Sequence, residues 1–310
     1  MTRIYFSARP EKWLEYQSPL RSALGETGIS FHLAPTFDDP EKVDYIVYDP
    51  KGPLRDFTPF INAKAVLALW AGVEGIVNNP TLTQPLARMV DSGLSEGMAE
   101  WVTGQVLRHH LGLDEHICRT TPEWQPNAPP LARDRKVAIL GLGALGQACA
   151  KALSDLNFDV SGWSRNPKKL TGIKCYSGDA GLQKALRAAE ILVLLLPLTQ
   201  QTENVLDSKR LAQLPKGAVI LNPGRGGLID DGALLAALDS GQIGHATLDV
   251  FRTEPLPTEH PYWAHPKVTV TPHIASETRP ESASRMIAEN IRRGENGEPF
   301  LNLVDRGAGY

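Results

Sequence analysis

Two hydrophobic periodicities alternate along this chain. Short apolar runs with β-branched and aromatic side chains recur at 3–7, 29–33, 45–48 and 66–70, and each predicts a strand. Helix-compatible stretches separate some of them. Around 97–110 the spacing changes: Met98, Trp101, Val102, Gln105 and Val106 lie three and four apart, which predicts a helix. Pro122, Pro126, Pro129 and Pro130, interleaved with Trp124, then predict a connector that cannot be helical.

A second round begins at Lys136. Its pattern predicts strands at 137–140, 158–163, 191–196, 218–222, 246–250 and 268–271. Helices are expected at 144–156, 180–189, 208–214 and 231–238, and a last one at 281–293. The near-continuous apolar run 191–196 fits a strand buried on both faces, as in a parallel sheet covered by helices. Strands alternating with helices over 310 residues predict an α/β chain of about two domains.

Composition narrows the partners. Charged residues make up 22% and hydrophobic residues 42%, with a formal net charge of -3, so neither nucleic acid nor an anionic membrane surface is expected as a general partner. No run approaches the roughly 18 apolar residues of a membrane span. Met1-Thr2-Arg3-Ile4-Tyr5-Phe6 enters a strand-like segment directly, without a signal peptide's pattern. Cys118, Cys149 and Cys175 form no Cys-x-x-Cys, so the expectation is a cytoplasmic protein with no disulfide framework and no metal site.

The chemistry starts at Gly141-Leu142-Gly143-Ala144-Leu145-Gly146, a Gly-x-Gly-x-x-Gly run between a predicted strand and a predicted helix. In that context Gly141 permits a tight turn, Gly143 lets backbone approach a pyrophosphate, and Gly146 lets helix and strand pack closely. The helix N-terminus offers amides and a positive dipole end to the phosphates. The next strand discriminates between cofactors. An NAD site places an acidic residue about 20 residues past the first glycine. Here the strand ends Gly162-Trp163-Ser164-Arg165, followed by Asn166, Pro167, Lys168 and Lys169. A carboxylate would repel a 2′-phosphate, whereas Arg165 can grip one through a bidentate fork, so NADP(H) is expected over NAD(H).

Three ionisable residues follow strand ends of the second round. Arg225 lies in Asn222-Pro223-Gly224-Arg225-Gly226, Glu254 follows the strand ending near Val250, and His273 lies in Thr271-Pro272-His273-Ile274-Ala275. Singly, each has a bland explanation as a packing or surface residue. Together, beyond the carboxyl edge of a parallel sheet, they suit reduction of a 2-oxo acid. His273 would supply the proton, Glu254 would orient the ring and favour its imidazolium form, and Arg225 would grip a carboxylate and polarise the carbonyl.

These motifs, with Leu196-Pro197-Leu198-Thr199, Leu248-Asp249-Val250-Phe251 and Glu254-Pro255-Leu256-Pro257, resemble those of the D-isomer-specific 2-hydroxyacid dehydrogenases. Within that family the chain looks most like the bacterial A-type glyoxylate/hydroxypyruvate reductases. The resemblance runs through Thr278-Arg279-Pro280 to Gly309-Tyr310 and is loosest before Val66. It implies two doubly wound parallel-sheet domains with an active-site cleft between them. One would be a flavodoxin-like substrate domain of residues 1–97 and 277–310. The other, 98–276, would be an inserted Rossmann cofactor domain, with hinges near 97–110 and 273–279.

The resemblance further implies Arg225 as the substrate-binding residue, Glu254 as the group that raises the histidine pKa, and His273 as the acid/base. Asp249 would hold the nicotinamide carboxamide. Leu142, Ala144 and Leu145 would lie against the pyrophosphate. Leu196, Pro197, Thr202, Pro223, Gly224 and Ala275 would line the cofactor groove, with Ser164, Arg165 and Lys168 at the ribose end. Backbone amides near Trp70, Ala71, Gly72 and Val73 would hold the substrate carboxylate. Tyr48-Asp49-Pro50-Lys51-Gly52 departs from the A-type pattern and is expected to face the substrate side chain. A homodimer is implied, with its interface along the 101–110 helix and the 124–130 connector.

The activity expected is NADPH-dependent reduction of glyoxylate or hydroxypyruvate to the D-2-hydroxy acid (glycolate or D-glycerate) by hydride transfer. Two alternatives stand beside it. One is a reductase of a larger 2-oxo acid of the phenylpyruvate type. The other is a dehydrogenase-like protein that senses nicotinamide nucleotides without turnover. With 37 residues after His273, a phosphoglycerate dehydrogenase with a regulatory domain is not expected.

Overall fold

The computed structural model describes every residue except Gln125 and Tyr310. The terminal tyrosine of the Gly309-Tyr310 motif and one residue of the 124–130 connector therefore lie outside the described residues. The elements run in chain order: β1 (Thr2–Ser7), α1 (Pro10–Glu26), β2 (Phe31–Ala34), β3 (Tyr45–Tyr48), β4 (Ala65–Ala68), β5 (Leu86–Ala87), α2 (Ser92–His110) and α3 (Leu113–Ile117). They continue with β6 (Lys136–Leu140), α4 (Ala144–Asp155), β7 (Asp159–Trp163), β8 (Lys174–Tyr176), α5 (Gly178–Ala188), β9 (Ile191–Leu194) and α6 (Ser208–Leu211). Last come β10 (Ala218–Asn222), α7 (Asp231–Asp239), β11 (Ile243–Leu248), β12 (Val268–Val270) and α8 (Pro280–Glu295). The chain divides into two compact units, Met1–Leu94 with Thr278–Tyr310, and Ser95–Glu277.

The first unit is a five-stranded parallel sheet in the order β2-β1-β3-β4-β5. That is the flavodoxin-type order, whose switch point lies between β1 and β3. β3 and β4 are buried along their whole length, which their unbroken apolar sequences require. α1 starts with Pro10 in its first turn, where a missing N–H costs nothing, and buries Tyr16, Leu20, Ala23 and Leu24 at helical spacing. α8 lays Ala283, Ile287, Ala288 and Ile291 into the same core. Full burial of each isoleucine contributes about 1.5–3 kcal/mol.

The second unit is a seven-stranded sheet in the order β12-β11-β10-β9-β6-β7-β8, parallel throughout. Its order reverses between β6 and β9, which defines a Rossmann-type switch point. One core lies among α5, α6, α7 and the sheet, and a second under α2 and α4. Met98, Val102 and Val106 of α2 are buried in the latter, which explains the mixed spacing seen in the sequence.

Several boundaries moved. The helix expected from residue 97 begins at Ser92, and the strand expected at 246–250 spans Ile243–Leu248. Asp249 and Val250 have left that strand because the buried Asp249 carboxylate is taken up by the loop after β12. The strand expected at 66–70 ends at Ala68, where the chain turns. β5 and β8 were not expected; both are edge strands too short to show a period. Among the described residues, no helix is long and apolar enough to cross a membrane.

Candidate active site

In the second unit the loops that follow β6, β7, β9, β10, β11 and β12 emerge at one edge of the sheet, where the switch point between β6 and β9 opens. The chain leaves β6 through Gly141, whose φ of +110° only glycine adopts at little cost. The Gly141 amide donates to the Trp163 carbonyl at 2.8 Å, fastening the turn to the end of β7. A Cβ on Gly141 would overlap the Leu195 carbonyl, and one on Gly146 would overlap the Gly141 carbonyl. Both glycines are therefore demanded by packing. Gly143 is different: its φ is −73° and a Cβ there would meet nothing within 4 Å. It faces open space in front of α4, whose first-turn amides have no side-chain cap. An uncapped helix start behind an unobstructed glycine fits a pyrophosphate.

Leu142 is buried with its side chain against Gly162, so it offers backbone rather than side chain to a ligand. Leu140 pairs with Trp163 in the parallel register, so the residues after β7 stand beside the glycine turn. Trp163 donates its indole N–H to the Gly178 carbonyl at 2.9 Å. Ser164 is buried and its hydroxyl donates to the Asn166 carbonyl at 2.8 Å, which shapes the following loop. Arg165 and Lys168 are exposed on that loop, and no carboxylate occupies the strand end.

Beyond β9, Leu196 is buried and Pro197 half-buried. The Thr202 hydroxyl donates to the Pro197 carbonyl at 2.6 Å and accepts from the Thr199 amide at 2.8 Å. Thr202 thus pins the loop that presents Pro197. Beyond β10, Pro223 and Gly224 are buried. The Asn222 side chain accepts from the Gly224 amide at 3.1 Å and donates to the Arg225 carbonyl at 2.9 Å, clamping the loop from both sides. Arg225 is half-buried, with Nη1 donating to the Gly224 carbonyl at 2.7 Å.

The next residue joins this loop to its neighbour. A Cβ on Gly226 would overlap the backbone of Phe251 and Arg252, so the β10 and β11 loops touch at a point only glycine allows. From there the Phe251 amide donates to Glu254 Oε1 at 2.9 Å, and Glu254 Oε2 meets His273 Nδ1 at 2.7 Å. A carboxylate at Nδ1 places the proton of a neutral ring there and turns Nε2 outward. His273 itself has a left-handed φ of +56°. Its amide donates to the Asp249 carbonyl at 2.8 Å, which helps hold this uncommon conformation. The Asp249 carboxylate, fully buried, accepts from Thr271 Oγ1 at 2.6 Å and from the amides of Ile274 and Ala275, each at 2.9 Å. Most of its hydrogen-bonding capacity serves the turn that carries His273.

The structure therefore joins Glu254 to His273 directly and stacks the Arg225 loop on theirs. Sequence reasoning missed Asn222, Gly226 and Thr271, which build these loops. It also missed Arg252, which donates to the carbonyl of Ile229 at 2.7 Å and to the side chain of Asn204. A polar residue ending an apolar strand, as Asn222 and Thr271 do, was the available signal.

The first unit carries the other predicted residues. Tyr48 is buried with its ring centroid 5.5 Å from that of Phe57. Past β4, the Trp70 carbonyl accepts from the Met89 amide at 2.9 Å, and Val73 is buried with its carbonyl taken by Ile76 and Val77. Among the described residues, the amides of Ala71, Gly72 and Val73 find no acceptor.

Comparison with known proteins adds to this geometry. Residues 104–275 match the family model of the D-isomer specific 2-hydroxyacid dehydrogenase, NAD binding domain. A glyoxylate/hydroxypyruvate reductase A of Yersinia enterocolitica is 38% identical over 281 residues, 88% of this chain and 89% of that protein. Its namesake from Serratia proteamaculans is 39% identical over 255 residues, 80% of this chain and 82% of that protein. A D-isomer specific 2-hydroxyacid dehydrogenase of Xanthobacter autotrophicus Py2, solved with NADPH and MES, superposes with a TM-score of 0.90 at 41% identity, covering 100% of this chain and 99% of that one. An NADPH-dependent glyoxylate/hydroxypyruvate reductase of Sinorhizobium meliloti, solved with NADP and sulfate, gives a TM-score of 0.89 at 32% identity over 100% of both chains.

Proposed function

This chain belongs to the D-isomer-specific 2-hydroxyacid dehydrogenases, a family of NAD(P)-dependent oxidoreductases, and we propose that it reduces glyoxylate or hydroxypyruvate with NADPH. The observation that carries the proposal is the 2.7 Å contact between Glu254 and His273, set on the same sheet edge as the uncapped glycine turn. The relatives of known structure named above hold NADPH or NADP, and Arg165 stands where an NAD site would carry an acid.

The nicotinamide cofactor supplies hydride to the keto carbon when it is bound. Gly143 and the first turn of α4 receive its pyrophosphate, and Arg165 with Lys168 its 2′-phosphate. The Arg225 guanidinium binds the substrate and stabilises negative charge as it develops on the keto oxygen. His273 gives that oxygen a proton from Nε2, while Glu254 fixes the ring and stabilises its charged form. The amides of Ala71, Gly72 and Val73 hold the substrate carboxylate. Asp249, fully buried with both oxygens engaged, keeps the His273 turn in place rather than reaching the nicotinamide amide as the resemblance implied.

A homodimer is part of the same proposal. Leu111, Ile117, Trp124 and Leu131 are exposed apolar residues within one short stretch of chain, and Trp124 is 95% exposed. Sedimentation equilibrium measures the assembly. Absorbance of NADPH and NADH over a panel of 2-oxo acids tests the activity. Consumption of neither cofactor with any oxo acid would favour a nucleotide-sensing protein instead.

A further inference from the structure

We propose that Lys51 is a specificity-determining residue, one that receives a second anionic group of the substrate. It would favour 2-oxo acids with a distal carboxylate or phosphate over their monoanionic counterparts. The proposal rests on the 2-oxo acid reductase activity proposed above and extends its substrates beyond glyoxylate and hydroxypyruvate, which carry one anionic group each.

The loop after β3 is built around Asp49. The buried Asp49 side chain accepts from the Lys51 amide at 3.0 Å through Oδ1 and from Arg9 Nε at 3.1 Å through Oδ2. The Asp49 carbonyl accepts from the Gly52 amide at 2.8 Å, closing a tight turn with Lys51 near its tip. Gly52 lies against the loop after β1, where a Cβ would stand 2.8 Å from the Ser7 carbonyl and 2.9 Å from Ala8 Cα. Arg55 Nη1 donates to the Gly52 carbonyl at 2.6 Å and holds the far side. These contacts fix the loop at the β1/β3 switch point of the first unit, where doubly wound sheets bind ligands.

Lys51 is what this rigid turn presents. Its Nζ lies 5.0 Å from the centroid of the Trp70 ring. Asp49 is compensated by Arg9, and among the described residues no carboxylate lies within ion-pair distance of Lys51 Nζ. A lysine held by an aromatic face keeps its ammonium donors for another partner. Trp70 directly precedes the amides of Ala71, Gly72 and Val73, which have no acceptor among the described residues. One side of Trp70 therefore offers a carboxylate cradle and its ring carries a cation. A substrate with one anionic group satisfies the first alone, and a substrate with two satisfies both.

The test uses the full chain with NADPH and two pairs of substrates matched in length. 2-Oxoglutarate is compared with 2-oxovalerate, and oxaloacetate with 2-oxobutyrate. In at least one pair, kcat/KM should favour the dianion by about tenfold or more, the scale of one charge-assisted hydrogen bond. Lys51→Met should bring that ratio near unity, with the change in KM rather than kcat. Lys51→Arg should restore most of it, and Lys51→Glu should reverse it. The preference should also shrink with added salt. Equal kcat/KM within both pairs, or a ratio unmoved by Lys51→Met, overturns the assignment while leaving the reductase proposal standing. If none of the four acids is reduced while glyoxylate or hydroxypyruvate is, the assignment alone falls; if glyoxylate and hydroxypyruvate are not reduced either, both fall.

Discussion

The three glycines of the phosphate turn make separable demands, and substituting them one at a time distinguishes a ligand site from a tight turn. At Gly146 a methyl group would overlap the Gly141 carbonyl, a backbone atom that cannot step aside. Gly146→Ala should therefore cost about 1–3 kcal/mol by overpacking. At Gly143 the φ of −73° suits any L-residue and a methyl group meets nothing within 4 Å. Gly143→Ala should leave the apo protein within about 0.5 kcal/mol of wild type, as surface substitutions usually do. The same methyl would stand where a pyrophosphate must approach the first turn of α4. Hydrogen bonds to charged groups contribute about 1.5–3 kcal/mol each, so losing one weakens NADPH binding about tenfold to a hundredfold. Urea unfolding of the apo protein and fluorescence titration of NADPH measure the two quantities separately. Wild-type NADPH affinity in Gly143→Ala would refute the assignment of the turn as a phosphate cradle.

Three further outcomes are expected. Arg165→Asp should raise the KM for NADPH tenfold or more and narrow the preference over NADH; an unchanged ratio of the two cofactors rejects Arg165 as the phosphate grip. His273→Ala should lower kcat by about 10²–10⁴-fold with NADPH binding retained, and Glu254→Gln should lower it less, because the amide keeps a contact to the ring but not the charge. A kcat unaffected by His273→Ala sinks the proton-donor role. His109 and His245, whose rings lie 4.8 Å apart, bond Thr247 and Thr269, and burial pushes the pKa of each down to about 4. Their unfolded values lie near 6.5, so the unfolded chain binds more protons between those limits and stability falls as pH drops from about 6.5 to 4. Replacing both with Gln should flatten the urea midpoint across that window, and an unaltered slope would assign the loss to other groups.

Much of the fold and of the site is legible in the sequence. The fully buried strands β3, β4 and β9 announce themselves because both faces are covered and no polar residue interrupts them. The glycine turn was readable because Gly141 and Gly146 answer local steric demands while Gly143 leaves room for a phosphate, a combination the motif spacing carries. The pairing of Glu254 with His273 was inferable only as chemistry, since residues far apart in sequence carry no local sign of contact. Asn222, Gly226 and Thr271 escaped because their partners lie on other loops. Gly226 looks like any turn glycine until the Phe251 backbone is placed against it. The edge strands β5 and β8 escaped because two or three residues cannot display a period.

The division of the first unit across the chain has a consequence for biosynthesis. Leu20 and Leu24 of α1 share a core with Ile287 and Ile291 of α8, yet residues 95–277 are translated in between. The ribosome releases the amino-terminal sheet with the part of its apolar face that α8 covers still unsheltered beside α1, at a synthesis rate of about 5–20 residues per second. The contiguous second unit can fold meanwhile from its own sequence. The nascent first unit is thus the span on which chaperone binding should concentrate, and it matures only when the helix at Pro280–Glu295 arrives.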